Sequence, residues 1–262
     1  MKKHILITND DGFNAQGLLA LIDALKPFYQ LTIVAPATEK SACAHSLTLT
    51  KPLRFISVAD DFYKLDDGTP TDCIYLSLFA MFENNKPDLV LSGINRGANM
   101  GEDITYSGTA AGAMEAALHG VPAVAISQVL RSGDQSDIDY TLATQSIVKL
   151  VERIFTQGFP LSKREFINMN VPNIAPDECK GVKITHAGYR HYGNDAHLHR
   201  NPRGEEYYWL GLHPLEWGVR EGVAASMSDF DAIKEGYISL TPVKLDMTAY
   251  ERQKALQAWH EI

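Results

Sequence analysis

The stretch HILITNDDG, residues 4–12, ends an apolar run on two adjacent acids, Asp10 and Asp11. Neighbouring carboxylates repel each other and lower stability unless a cation or a hydrogen-bond donor offsets the charge. An acidic pair where a strand stops is therefore a natural seat for a hard divalent metal ion. The same residues also serve as an Asx turn or as the acidic start of a helix. A second stretch, SGINRGANMGEDITYSGT at 92–109, sets amide and hydroxyl side chains between glycines just before an Ala-rich segment of helical spacing. Ser107, Gly108 and Thr109 there offer two hydroxyls and backbone N–H groups at the positive end of a helix dipole, which suits a phosphate. An ordinary N-cap has the same appearance. The Walker lysine and the GxGxxG spacing of a dinucleotide site are both missing. An acidic pair at one strand end and a hydroxyl-bearing helix start at another together suggest metal plus phosphate.

These residues need a scaffold that brings distant loops to one edge. His4 to Thr8 reads as a strand, Ala15 to Leu25 has apolar residues at helical spacing, and LTIVA at 31–35 is again strand-like. That is one βαβ unit, which predicts a parallel sheet with a right-handed crossover. Pro70, Thr71 and Asp72 open a helix expected to run to Phe82; DLVLSG at 88–93, VPAVAISQV at 121–129 and FINMNV at 166–171 supply further strands. Helices are expected over Thr109–His119 and about Tyr140–Thr156. The pattern is an α/β fold: a three-layer, doubly wound, mainly parallel sheet of Rossmann type, with ligands expected at the carboxyl ends of its strands. LTLTKPLRF and FYKL, between Leu47 and Leu65, are expected to form a hairpin beside the main sheet. VKITHA at 182–187 reads as a strand. The stretch 188–225 is rich in Gly, His, Tyr, Trp and charge without a period, as a functional loop, an extended hairpin or a subunit contact would be. We expect residues 1–187 to form the catalytic core and 188–262 an irregular hairpin and C-terminal segment for oligomer contacts.

Composition narrows the partners. With 45% hydrophobic and 21% charged residues, the 262-residue chain falls in the globular range and outside the disordered and fibrous classes. A formal charge of -8 argues against polynucleotide or anionic membrane as a partner. Three scattered cysteines, Cys43, Cys73 and Cys179, suit reduced thiols of a cytoplasmic protein. The apolar run in the start MKKHILI ends at Thr8, too short for a signal peptide, and no segment reaches the ~20 apolar residues of a membrane span. His191, His197 and His199 have no cysteine or carboxylate partners at zinc-like spacing and read as solvated loop residues. Trp209, Trp217 and Tyr207 read as hairpin packing or subunit interface, Asp229 and Asp231 as helix caps, and Arg96 as either a substrate contact or an exposed side chain.

TNDDG at 8–12, SACAHSLTL at 41–49, GTPTDC at 68–73, SGINRGANMGEDITYSGT at 92–109 and GYISLTP at 236–242 resemble, in order and along essentially the whole chain, the successive motifs of the SurE family of survival-protein 5'(3')-nucleotidases. The resemblance implies a metal-dependent phosphomonoester hydrolase acting on nucleoside monophosphates, with some members also acting on short polyphosphate. It implies one divalent ion per subunit, held by Asp10, Asp11, Ser41 and Asn95, an all-oxygen set suited to Mg²⁺ or Mn²⁺. Asp10 and Asp11 would be the catalytic carboxylates; Asn9, Asn95, Asn99, Ser107, Gly108 and Thr109 would line the phosphate side. It further implies dimers or tetramers that exchange a hairpin or C-terminal segment. Two departures stand out: Ala42 follows Ser41 where members commonly have glycine, and SGTAAGA replaces the usual SGTVGAA. Ala42 would restrict the loop if a positive φ is needed there. Two other readings compete. A haloacid-dehalogenase-type phosphatase needs two aspartates one residue apart, whereas here they are adjacent; a non-catalytic nucleotide-binding stress module would merely hold ligand at the same seats.

Overall fold

The computed structural model describes residues 2–83, 85–130, 138–192, 195–211, 214–218 and 226–260. The chain runs β1 (His4–Thr8), α1 (Gln16–Leu25), β2 (Gln30–Pro36), β3 (Phe55–Ala59), β4 (Phe62–Leu65), α2 (Pro70–Leu76), β5 (Leu89–Arg96), α3 (Gly108–Leu118), β6 (Ala123–Gln128), α4 (Thr141–Gln157) and β7 (Glu165–Val171). It continues as β8 (Val182–Ile184), β9 (Tyr189–Tyr192), β10 (Asp195–Arg200), β11 (Glu206–Gly211), β12 (Pro214–Gly218), α5 (Asp229–Lys234), β13 (Ile238–Lys244) and α6 (Gln253–His260).

Nine strands make one sheet in the order β3-β4-β2-β1-β5-β6-β7-β13-β8. From β4 through β7 every neighbouring pair is parallel, while the β3–β4 and β7–β13 pairs are antiparallel. Parallel strands covered on both faces read as unbroken apolar runs, and β1 is of this kind. Its Ile5 and Ile7 point into one core with Leu18, Leu21 and Leu25 of α1 and Ile147 and Val151 of α4. Leu6 points the other way, to Ile74 of α2 and Ala110, Ala113 and Ala117 of α3. The sheet is thus wound on both faces, as expected. Small residues set the helix distances: a Cβ on Gly17 would lie 2.1 Å from the Ile94 carbonyl oxygen, and one on Gly112 would lie 2.8 Å from Ser92 Oγ.

Several local expectations change. The helix from Pro70 opens on a capping box, with Thr69 and Asp72 bonding each other's backbone N–H, but α2 ends at Leu76 and the chain continues as a wider π-helical turn over Ser77–Met81. The hairpin beside the sheet is real, yet its first strand is Phe55–Ala59 and not the earlier LTLTKP; Thr48 instead gives its N–H and hydroxyl to the Asp72 carboxylate. The hairpin also joins the main sheet, since β4 pairs with β2. The chain after residue 187 is shared between two places. β13 sits inside the sheet, whereas β10 pairs with β11 and β12 with β9 as two antiparallel ribbons. His197 and His199 lie on β10 opposite Trp209 and Tyr207, and the His199 ring stacks on Tyr207. The side chains of His191 and Trp217 lie outside the described residues. α6 buries none of its residues. No helix among the described residues is long and apolar enough to cross a membrane.

Candidate active site

The strand order places β2, β1 and β5 side by side, so the loops that leave their carboxyl ends meet at one edge. Asn9, fully buried, donates from Nδ2 to the Gly12 carbonyl at 2.9 Å, and this closes the turn that carries the two acids; Gly12 takes a positive φ of 98°. Asp10 is 5% exposed. Its Oδ1 accepts from the Thr109 hydroxyl, and its backbone carbonyl accepts from the N–H of Lys40 at 2.7 Å. Burial pushes the Asp10 carboxyl up to about 6; the Thr109 hydroxyl and N–H oppose the rise, and the charge of Asp11 adds to it. Asp11 is only half-buried and accepts on Oδ2 from the Arg96 N–H at 2.9 Å. Burial raises its carboxyl too, with the Arg96 N–H opposing and the Glu39 charge reinforcing the shift.

The helix start expected to face phosphate turns toward Asp10. Ser107 caps α3 through its own Oγ, which accepts the Ala110 N–H at 2.9 Å. Gly108 has no room for a side chain: a Cβ there would lie 2.8 Å from both Asp10 Cβ and Cys43 Sγ. Thr109, wholly buried, spends its hydroxyl on the carboxylate. The positive end of the α3 dipole therefore orients one of the acids directly.

Asn95, at the end of β5, commits Nδ2 to the Gly97 carbonyl at 2.8 Å, which leaves its oxygen as the atom with metal-ligand chemistry. Ser41 is exposed and donates its hydroxyl to Glu39 Oε1 at 2.5 Å. Asn99 lies deeper. Its N–H bonds Asn170 Oδ1 at 2.9 Å, its Nδ2 bonds Ser127 Oγ at 2.9 Å, and its carbonyl accepts from Asn168 and Asn170 at 2.8 and 3.0 Å. It fixes the loop between Asn95 and Ser107 to β6 and β7. Ala42 and Ala44, on either side of Cys43, have φ of 55° and 53°, so the left-handed geometry that glycine would ease falls on alanine here.

The structure thus joins Asp10 with Gly108 and Thr109, Asp11 with the backbone after Asn95, and Ser41 with Glu39. Glu39 escaped the sequence reading, although it stands two residues before Ser41. The residues fit a hard divalent cation. Two carboxylates, one buried and one half-buried, lack a countercharge strong enough to keep them at ordinary acidity, and Asn9 Oδ1 is buried with no hydrogen-bond partner among the described residues. Among the described residues no three His, Cys, Asp or Glu side chains gather as a metal site. An ion here would rest on two carboxylates completed by amide and hydroxyl oxygens, which disfavours zinc.

A family model described as "Survival protein SurE" matches residues 5–194. A protein of Aliarcobacter butzleri named "5'-nucleotidase SurE" is 60% identical over 261 residues, covering 98% of each chain. One of the same name from Helicobacter hepaticus is 59% identical and covers 99% of this chain and 100% of its own. The crystal structure of a SurE protein from Aquifex aeolicus superposes with a TM-score of 0.83 at 38% identity, over 98% of this chain and 99% of that one.

Proposed function

This chain belongs to the survival protein SurE family, and we propose from that premise that it is a 5'-nucleotidase, a phosphomonoester hydrolase that converts nucleoside monophosphates to nucleoside and phosphate. The observation that carries the reading is the meeting of Asp10, Asp11 and the start of α3 at one sheet edge, with both carboxyls raised by burial. Asp10, Asp11, Asn95 and Ser41 would hold one Mg²⁺ or Mn²⁺ per subunit; when bound, such an ion supplies Lewis-acid polarisation of phosphate oxygen and a lowered pKa for water.

The protein side of the chemistry follows from burial. Thr109 holds Asp10 in a single orientation, so that carboxylate serves as a fixed charge. Asp11 is the less buried of the two and is the one a solvent water can reach, so it orients that water and takes its proton during in-line attack on phosphorus. The new bond is water oxygen to phosphorus, the broken one is the ester bond to the nucleoside, and the departing oxygen is protonated from solvent. Ser107, Gly108 and the amides of Asn9 and Asn95 would line the phosphate side of the same edge, and Asn99, whose amide donates to Ser127, would act by holding the loop between Asn95 and Ser107. Polyphosphate is a second substrate class to be screened. The ribbons between residues 189 and 218, together with α6, would make the self-contacts of a dimer or tetramer acting in the cytoplasm, with no membrane or polynucleotide partner.

Adenosine monophosphate hydrolysis by protein stripped with chelator and then returned to Mn²⁺ or Mg²⁺ tests this reading. Phosphate release should vanish on stripping and return with the ion. Turnover that survives stripping, or nucleotide binding without turnover under every ion, would overturn it, the latter in favour of a binding module.

A further inference from the structure

The loop from residue 37 to residue 54 contains no strand or helix, yet it carries Ser41. Its shape is not one that its sequence favours, because Ala42 and Ala44 both sit in the left-handed region, which a side chain disfavours. Something outside the loop must hold it. Backbone anchors account for part: the Lys40 N–H on the Asp10 carbonyl, and the Ala44 N–H on the Tyr106 carbonyl at 3.0 Å. One side-chain tether reaches α3. His45 Nε2 lies 2.7 Å from Glu115 Oε2, seventy positions away in sequence.

Glu115 is 4% exposed on a helix whose residues Gly108 to Ala117 are all buried. Its other oxygen, Oε1, meets His119 Nε2 at 2.9 Å. Burial pushes its carboxyl up, but the hydrogen bonds and charges of His45 and His119 outweigh this and hold it below the usual range. The carboxylate therefore stays ionised as a strong acceptor. The two histidines differ in what they join. His119 follows α3 directly, bonds back to that helix and packs its ring on Tyr75 and Phe79, whereas His45 ties α3, whose first turn grips Asp10, to the loop that bears Ser41. It links two of the three parts from which the site is assembled.

We infer that His45 is a positioning residue, which clamps the strained Ser41 loop onto α3 through Glu115 and so sets how tightly the site holds its divalent ion. The clause about the ion rests on the nucleotidase reading above; the clamp itself does not.

Three variants, His45→Ala, His45→Gln and His119→Ala, separate the roles, with amide hydrogen exchange over residues 40–46, Mn²⁺ titration and the kcat and KM for adenosine monophosphate as readouts. His45→Ala should speed exchange in that segment and weaken Mn²⁺ by about tenfold or more, as loss of a partner outside the ligand set does. Low kcat should recover as Mn²⁺ is raised. His45→Gln, whose amide can still donate to Glu115, should restore part of each. His119→Ala removes a hydrogen bond from the same carboxylate but should leave exchange at 40–46 and Mn²⁺ affinity at wild-type values. The proposal is overturned if His45→Ala matches wild type in exchange, or if His119→Ala matches His45→Ala. Should His45→Ala not fold, His45→Gln against His119→Ala makes the same comparison. A wild-type protein that takes up no Mn²⁺ would sink the nucleotidase reading, while the exchange data would still decide the clamp.

Discussion

The edge where β2, β1 and β5 end is unfinished in one way, and the β10–β11 ribbon and the helix α6 in the opposite way. The edge buries more polar chemistry than the protein satisfies: Asp10, half-buried Asp11, and an Asn9 oxygen with no partner among the described residues. β11 and α6 each expose more apolar surface than water tolerates well, with Trp209 64% and Leu210 77% exposed on β11, and Leu256 65% and Trp259 71% exposed on α6. Excess buried charge is relieved by a small cation, and excess exposed apolar area by another protein surface. The contrast predicts two different kinds of completion, each open to disturbance without the other.

Asp10→Asn sharpens the contrast most. It should cut turnover on the order of 10³-fold or more, yet raise the stability of the metal-free protein near pH 7. The sign follows from the raised carboxyl. A group whose folded value is lifted to about 6 contributes its stability fully below its unfolded value, near pH 4, and loses it as pH rises through about 6. For a roughly two-unit shift this amounts to up to about 3 kcal/mol. Thermal unfolding in chelator at pH 5 and pH 7 reads it: the wild type should lose more stability between the two than the variant, which keeps the raised carboxyl of Asp11. An unchanged pH dependence would mean that the edge is not charge-frustrated.

A change in α6 should do the reverse. Leu256→Asp with Trp259→Asp should lower the mass seen by light scattering and leave Mn²⁺ affinity per subunit within about twofold, since neither residue is buried in the fold. A wild-type protein that is already monomeric would erase this half of the contrast. The smallest effect belongs to Ala42→Gly. Relief of the left-handed geometry, less the entropy that glycine adds to the unfolded chain, should stabilise by up to about 1 kcal/mol, visible as a higher urea midpoint.

Much of the edge was legible in the sequence because its physics is local. HILIT had to be buried on both faces, and an acid pair at its end had to face either a cation or a helix; the structure supplies the helix through Thr109 and leaves the carboxyls still raised. Asp229 and Asp231, read as caps, lie in the first turn of α5, and the cap is Ser228, whose Oγ accepts the Asp231 N–H at 3.1 Å and donates to its carboxylate at 2.6 Å; Asp229 instead accepts the N–H groups of Gly101 at 2.8 Å and Gly188 at 3.0 Å. What stayed hidden was either long-range or unpatterned. The His45–Glu115 pair has no spacing to betray it. The ribbons gave no period because β-strand alternation records one buried face, and Tyr207, Tyr208, Trp209 and Leu210 are all exposed in succession. Residues 47–52 looked like a strand but lost that role to the Asp72 carboxylate, which claims Thr48.

Every donor proposed for the ion falls within the first 95 residues, and the helix that grips Asp10 ends at Leu118. A designer looking for a minimal catalytic fragment would cut soon after that point. The amide lattice around Asn99 forbids it: Asn168 and Asn170, on β7, hold the span between β5 and α3 from the far side of β6. A fragment stopping short of β7 would keep all the donor atoms and lose the fastening that keeps their intervening span in place.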